Sequence, residues 1–288
     1  MSDQPGDGTY FFIFAMNNSG TTAMSQYLAA RADAYLPPFG NNEGQMAPKV
    51  RRIMRDRPWD PAQRFDWVTV HGLWDALLAD SGKRVFVEAS PPNILRVADI
   101  RAEFDGCARY VFSVCDPYMQ IASSVYNYDS APLAAETLRA KTASWIKRAE
   151  ALRAGIDANP DIAVVSYETF CADPEALCRA FGLPARSEGE VAISGKRTGA
   201  YRRVRNMSAR NLGFLGFDEI DVITGALAPH ADLLASFCYA PRPGEALLDD
   251  LWKTAPALVH AGLLRRLRWE GADAGQEARK ERRRQKAG

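Results

Sequence analysis

A polar segment that directly follows an apolar run carries residue types that bind anions. The segment comprises Asn17, Asn18, Ser19, Gly20, Thr21 and Thr22. Backbone N–H groups that converge at a helix N-terminus, with a glycine for close approach and hydroxyls beside it, cradle phosphate or sulfate. Compared with the phosphate loop GxxxxGK[ST], Ala15 replaces the first glycine and Thr21 replaces the lysine. The segment therefore predicts anion binding without a standard ATPase or GTPase, and an ordinary helix N-cap is the alternative.

A second candidate anion site is a late cluster of cations. Six basic residues occur without an acidic one between Gly195 and Arg210: Lys196, Arg197, Arg202, Arg203, Arg205 and Arg210. The planar donor fork of arginine matches phosphate geometry. The alternative is a solvated surface loop, which is the usual meaning of a run of like charges.

Alternating strand and helix patterns would position these residues. Short apolar runs predict strands at Tyr10–Met16, Arg84–Glu88, Tyr110–Val114 and Ile162–Ser166, with helical patterns between them. Such alternation is typical of an α/β fold with a parallel sheet and helices on both faces. The polar segment then lies between the first strand and a helix over Thr21–Ala30.

Beyond Pro184 the pattern predicts no further strand. Ser194–Arg210 is predicted to be a loop. Helices are predicted over Asp218–Leu227, His230–Tyr239 and Glu245–Leu267.

Composition bounds the classes of protein that fit. The chain has 288 residues, of which 47% are hydrophobic, and this predicts a polar arm at 1–8, a single domain over 9–270 and a basic tail at 271–288. A net charge of +1 gives no reason to expect nucleic-acid binding. Five cysteines without ligand spacing predict neither disulfides nor a metal site. We expect a cytoplasmic protein without a membrane span, whose basic tail is free to touch a membrane surface, and the sequence leaves the oligomeric state open.

Four ordered motifs carry a family resemblance. They are the SGTT of 19–22, the SPP of 90–92, Asp116-Pro117 with Ser123 downstream, and Tyr167-Glu168 followed by DPE at 173–175 and FGLP at 181–184. Together they resemble the sulfotransferase family, particularly its bacterial and Golgi-type members. The resemblance implies a P-loop-NTPase-like three-layer α/β fold. It also implies sulfuryl transfer from 3′-phosphoadenosine 5′-phosphosulfate to a hydroxyl or amine of a small-molecule, lipid or carbohydrate acceptor.

The resemblance also implies roles for residues that bind the donor. The Asn17–Thr22 segment would hold the 5′-phosphosulfate, with Asn18 at the sulfuryl group. Ser123 would bind the 3′-phosphate, and the basic cluster with Lys196, Arg197 and Arg202 is similar to a loop that grips this phosphate in cytosolic relatives. Three positions lose a positive charge that the family has, namely Asn18, Ala89 and Cys115.

A base must accept the proton of the acceptor. Glu43 is the first candidate, because Golgi-type relatives have a catalytic glutamate in a similar loop, and a turn carboxylate is its alternative. His71 is the second candidate, although its surroundings predict a structural histidine on a helix. Glu88 would face the ligand cleft or bond to the phosphate loop. Two other functions stay open: a nucleotide-dependent phosphotransferase, and a catalytically silent protein that binds anions or nucleotides.

Overall fold

The computed structural model describes residues 9–54, 57–128, 133–184, 191, 193–195, 199–201 and 204–287. Lys196, Arg197 and Arg202 lie outside these residues, so the predictions for them stay predictions. The chain divides into two compact units, Met1–Asp116 with Lys147–Asn206 and Pro117–Ile146 with Met207–Gly288. The single domain predicted over 9–270 stays a prediction.

Four parallel strands form the core of the first unit. They are β1 Thr9–Ala15, β2 Val85–Glu88, β3 Ala108–Val114 and β4 Ala163–Ser166, in the order β2-β1-β3-β4. Each β1 side chain from Tyr10 to Ala15 is at most 2% exposed, so both faces of this central strand are covered. A continuous apolar run is what such a strand requires. The predicted α/β class, with a central parallel sheet and a loop that joins its first strand to a helix, is confirmed.

Helices occupy most of the remaining described chain. Their bounds are α1 Thr21–Ala32, α2 Pro48–Met54, α3 Trp67–Ser81, α4 Val97–Phe104, α5 Pro117–Tyr128, α6 Ala135–Ala158, α7 Tyr167–Ala172, α8 Glu175–Ala180, α9 Ser208–Leu212, α10 Phe217–Leu227, α11 Ala231–Ser236, α12 Gly244–Thr254 and α13 Pro256–Ala287, with 3₁₀ helices at Gly44–Met46, Pro91–Leu95 and Ala228–His230. α3 illustrates the local causes of these bounds. The Asp66 carboxylate accepts a hydrogen bond from the Thr69 N–H at 3.0 Å before its first turn, and Gly82 ends it with a φ of 67°.

The predicted loop over Ser194–Arg210 is wrong in part. Strands β5 Ile193–Gly195 and β6 Gly199–Tyr201 pair antiparallel, and α9 begins at Ser208. Strands of three residues are too short for an alternating pattern to be recognised in the sequence. In the first unit, β5 also contacts α1.

The predicted helix Glu245–Leu267 is two helices. α12 ends at Thr254, and α13 begins at Pro256 because proline lacks the N–H that a continuous helix would need. α13 then continues to Ala287, through most of the predicted tail.

The second unit consists of helices. Its closest packing brings α13 against α9, where a Cβ on Gly262 would lie 2.2 Å from the carbonyl oxygen of Arg210. Only glycine permits this approach. Among the described helices of the chain, none is long and apolar enough to cross a membrane.

Candidate anion-binding and catalytic site

The loop between β1 and α1 has the backbone of an anion cradle. Asn18 and Gly20 adopt left-handed φ angles of 63° and 85°, on either side of Ser19. Left-handed residues in a tight turn direct successive N–H groups to one side, and here the turn leads directly into the twelve-residue helix α1. The Ser19 hydroxyl is buried and donates to the carbonyl oxygen of Met16 at 2.5 Å. Ser19 therefore closes the turn with its side chain and contributes its N–H to the cradle.

Gly20 is in close contact with an aromatic ring. A Cβ at this position would lie 2.3 Å from the ring of Tyr167, so only glycine fits beneath it. The Tyr167 hydroxyl donates to the carbonyl oxygen of Arg205 at 3.3 Å. Tyr167 thus joins the loop to Arg205 of the basic cluster.

Two hydroxyls at the start of α1 have no hydrogen-bond partner among the described residues. Thr21 and Thr22 are both half-buried, as is the side chain of Asn18. These three side chains carry donors at the mouth of the turn, where an anion would need them.

A guanidinium from a distant helix reaches the same loop. Arg148 of α6 donates from Nη1 to the Asn17 Oδ1 at 2.6 Å, and its Cζ lies 4.3 Å from the ring centroid of Trp59. Burial lowers the pKa of Arg148. The loop therefore has a neighbouring positive charge, although it does not come from position 18.

Several contacts in the first unit hold the loop that carries Glu43. Asn42 accepts a hydrogen bond at its Oδ1 from Gln26 Nε2 of α1 at 3.0 Å. The Gly44 N–H donates to Glu88 Oε2 at 2.6 Å, and the Gly44 carbonyl accepts from Trp74 Nε1 at 3.1 Å. Gln26 follows Thr21 by five residues, about 7.5 Å of helix rise, so this loop and the cradle attach to the first turns of one helix.

Glu88 is the buried anchor of the Glu43 loop. Besides Gly44, its carboxylate accepts hydrogen bonds from the Ser90 N–H at 2.8 Å and the Asn93 Nδ2 at 3.0 Å. Burial raises its pKa to about 7, against the opposing effect of these donors, and the nearby charge of Glu43 raises it further. The sequence predicted that Glu88 would face the ligand cleft or bond to the phosphate loop. The contacts that the structure describes are instead with the Glu43 loop and the segment after β2.

His71 lies at the other end of the first strand. Its Nδ1 is 2.8 Å from Glu103 Oε1, and its ring contacts Tyr10 at a centroid distance of 5.1 Å. Tyr10 begins the buried part of β1, whereas the cradle follows the end of that strand, about 20 Å away at the usual rise per residue. The structural role expected for a helical histidine fits this position better than that of a base.

The remaining predicted positions contribute no charge that the structure describes. Cys115 and Ala89 are 1% and 3% exposed, and burial raises the pKa of the Cys115 thiol, which keeps it neutral. Ser123 lies in the second unit, where its Oγ accepts from Asn127 Nδ2 at 3.0 Å. Its role at a 3′-phosphate stays a prediction. Within the described residues, no group of three or more His, Cys, Asp and Glu side chains could hold a metal ion.

Sequence reasoning missed Arg148 and its contact with Trp59, and it gave Tyr167 no role. Arg148 lies 131 residues after its partner Asn17, in a helix that carries many other charges. No spacing rule connects such positions. Tyr167 was identifiable only as part of a motif, because its contact with Gly20 depends on β4 ending beside the loop.

Residues suited to bind an anion and a residue suited to accept a proton both lie on segments attached to the first turns of α1. A cradle of N–H groups and hydroxyls, with a guanidinium beside it, is suited to hold an anionic group. A carboxylate on a loop tied to the same helix is suited to accept a proton.

Comparison with known proteins agrees with this chemistry. Residues 11–187 match the model of the sulfotransferase family. Among solved structures, the chain is similar to a sulfotransferase from Alicyclobacillus acidocaldarius, with 17% identity, a TM-score of 0.48 and coverage of 85% of this chain and 98% of the other.

Two further structures are similar. A sulfotransferase domain from the curacin biosynthetic pathway has 15% identity, a TM-score of 0.41 and coverage of 86% of this chain and 96% of its own. A sulfotransferase from Mycobacterium tuberculosis H37Rv has 15% identity, a TM-score of 0.39 and coverage of 62% and 69%. No curated protein matched the chain.

Proposed function

The chain belongs to the sulfotransferase family and is a transferase, and from that premise we propose that its donor is 3′-phosphoadenosine 5′-phosphosulfate. The observation that carries the proposal is the turn at Asn18 and Gly20, whose left-handed residues aim N–H groups at the start of α1. The family generally uses this donor. Its acceptor here is proposed to be a hydroxyl or amine of a small-molecule, lipid or carbohydrate compound.

The residues of the cradle fit a phosphosulfate. Gly20 accommodates the ring of Tyr167 and the left-handed turn, and the Thr21 and Thr22 hydroxyls and the Asn18 amide are donors at the same turn. When bound, the donor supplies a sulfuryl group by cleavage of an S–O bond, with 3′,5′-adenosine bisphosphate as the leaving product. The cradle holds the negative charge that collects on the leaving phosphate, and removal of one such donor typically slows a reaction by roughly 10²–10³-fold.

Glu43 is proposed to act as the base. Its carboxylate accepts the proton of the acceptor hydroxyl or amine as the bond to sulfur forms. The contacts of Asn42 and Gly44 fix the backbone on both sides of it, which limits the entropy lost on reaching the reactive geometry.

Ligand-induced stabilisation tests the donor. A ligand at about 100 times its dissociation constant adds ~2.7 kcal/mol to the free energy of unfolding. We expect 3′,5′-adenosine bisphosphate to stabilise the protein and ATP to have no effect. The Thr22→Val variant should bind the bisphosphate less well, whereas Thr254→Val, an exposed hydroxyl at the end of α12, should bind as the wild type does. Stabilisation by ATP alone would identify a phosphotransferase instead.

Transfer of labelled sulfate tests the chemistry. The donor with a ³⁵S label is incubated with an extract of candidate acceptors, and labelled products are separated. Glu43→Gln should lower the rate of transfer without loss of bisphosphate binding, and Glu150→Gln, on the exposed face of α6, is the matched control. A protein that binds the bisphosphate but labels no acceptor is a silent binding protein. A full rate in Glu43→Gln removes Glu43 as the base.

A further inference from the structure

Arg148 has an electrostatic environment that its own unit does not balance. The guanidinium is half-buried and offers five N–H donors, yet among the described residues it has one hydrogen-bond acceptor, the Asn17 Oδ1, and no carboxylate within ion-pair distance. A partly desolvated charge is costly unless it is paired. An anion is therefore the partner that would complete this environment.

Two half-buried arginines of the chain show one way in which such charges are balanced. Arg31 binds both carboxylate oxygens of Glu175, at 2.6 and 2.8 Å. Arg266 binds Glu219 at 2.7 Å and Glu270 at 2.6 Å. Arg148 instead stacks on Trp59 and binds a neutral amide. Burial acts to lower the pKa of Arg148 and of Arg266 alike.

Arg148 binds the residue next to the place where charge is missing. Asn17 is the first residue after Met16 and precedes Asn18, where the family has an arginine or lysine. Because a guanidinium only donates, the amide oxygen of Asn17 must face Arg148, and this bond fixes the first residue of the turn. Trp59 supports the guanidinium from one face, so the side chain is held rather than spread into solvent.

We propose that Arg148 supplies the positive charge of the loop in place of the cation absent at Asn18, and that it binds the anionic end of the donor. The proposal rests on the donor proposed above. It makes Arg148 of α6 a residue of the site, although α6 lies outside the four sequence motifs. It also explains why a loop without its own cation still lies next to one.

The test compares five proteins and two probes. The proteins are the wild type, Arg148→Gln, Asn18→Lys and the double variant, and Arg153→Gln is the control, an exposed arginine on the same helix that pairs with Asp157. The probes are 3′,5′-adenosine bisphosphate and inorganic pyrophosphate, whose affinities are measured by titration calorimetry. Circular dichroism establishes that each variant is folded.

Arg148→Gln should weaken the binding of both probes by about 10- to 100-fold, the range expected for a charge-assisted contact, and Arg153→Gln should not. In the Arg148→Gln background, Asn18→Lys should recover part of this affinity. The Asn18→Lys single variant measures the cost of placing lysine on the left-handed backbone at this position. Rescue by a charge at another position is not expected if Arg148 only holds Trp59 and Asn17 in place. Absence of rescue, or equal affinities of Arg148→Gln and Arg153→Gln, overturns the role of Arg148.

The two probes separate this role from the proposed donor. If the wild type binds the bisphosphate and Arg148→Gln binds it equally well, the donor stands and the role of Arg148 falls. If the wild type binds pyrophosphate only, and does so through Arg148, the adenosine donor falls and the anion-binding role stands. If the wild type binds neither probe, both are wrong.

Discussion

Replacement of Glu88 by glutamine should change how the stability of the protein depends on pH. The carboxyl is fully buried, and its pKa is raised from an ordinary 4.5 to about 7, chiefly by burial. Between these two values the native protein holds more protons than the unfolded chain, so the free energy of unfolding falls as pH rises. This contribution is complete below pH 4.5 and is lost as pH rises through about 7.

The magnitude follows from the separation of the two pKa values. At about 1.4 kcal/mol per pH unit, the loss amounts to about 3 kcal/mol in all, most of which falls between pH 5 and pH 8. Glutamine does not titrate, so its variant lacks this slope. The amide also has one oxygen where the carboxylate has two, so at least one of the N–H groups of Gly44, Ser90 and Asn93 loses its acceptor, at about 1–3 kcal/mol.

Urea unfolding of the wild type, Glu88→Gln and Glu150→Gln at pH 5, 6, 7 and 8 measures this effect. The stability advantage of the wild type over Glu88→Gln should shrink by about 2–3 kcal/mol across the series, whereas its difference from Glu150→Gln should stay constant. Transfer activity should fall in Glu88→Gln, because the Gly44 contact positions the loop of Glu43. A difference from Glu88→Gln that is constant or grows with pH would refute the buried, proton-binding state of this carboxyl.

Three more substitutions test contacts around the site. Gly20→Ala should lower the free energy of unfolding by at least about 1–2 kcal/mol through its left-handed backbone alone. The new Cβ would also clash with the ring of Tyr167, and Tyr167→Ala in the same chain should relieve this clash. A double-mutant cycle measured by urea unfolding separates the two effects. Trp74→Phe should cost about 1–3 kcal/mol, because it leaves the Gly44 carbonyl without its indole donor; an unchanged unfolding midpoint would contradict this. Glu175→Gln should cost about 3–5 kcal/mol, because it leaves the Arg31 charge poorly paired in a site where the two side chains are 14% and 10% exposed, and an unfolding free energy equal to that of the wild type would contradict this.

The sequence allowed the sheet and the turn into α1 to be predicted for one reason: both depend on local patterns. The run from Tyr10 to Met16 is apolar throughout because both faces of β1 are covered, and glycine with hydroxyl residues marks the turn into α1. Predicted strand limits differ from the observed ones by one or two residues. The short pair β5 and β6 was missed because three residues leave no periodic pattern.

The contacts that organise the site were not predictable in the same way. Arg148 meets Asn17 across 131 positions, and Glu88 meets Gly44 across 44. Neither pair has a fixed spacing within an element, since Glu88 at the end of β2 and Arg148 within α6 each bond a separate loop. A buried glutamate at the end of β2 has no feature in the sequence that distinguishes it from an exposed one.

The N–H and carbonyl groups of Gly44, held by Glu88 and Trp74, make this residue a spectroscopic probe of the site. A short bond to a carboxylate moves an amide proton resonance downfield, and the shift depends on whether the carboxyl is ionised. The Gly44 signal in a ¹⁵N-labelled sample should therefore follow the titration of Glu88 directly. Its slow exchange with deuterated solvent would report the opening of the Glu43 loop, before any acceptor has been identified.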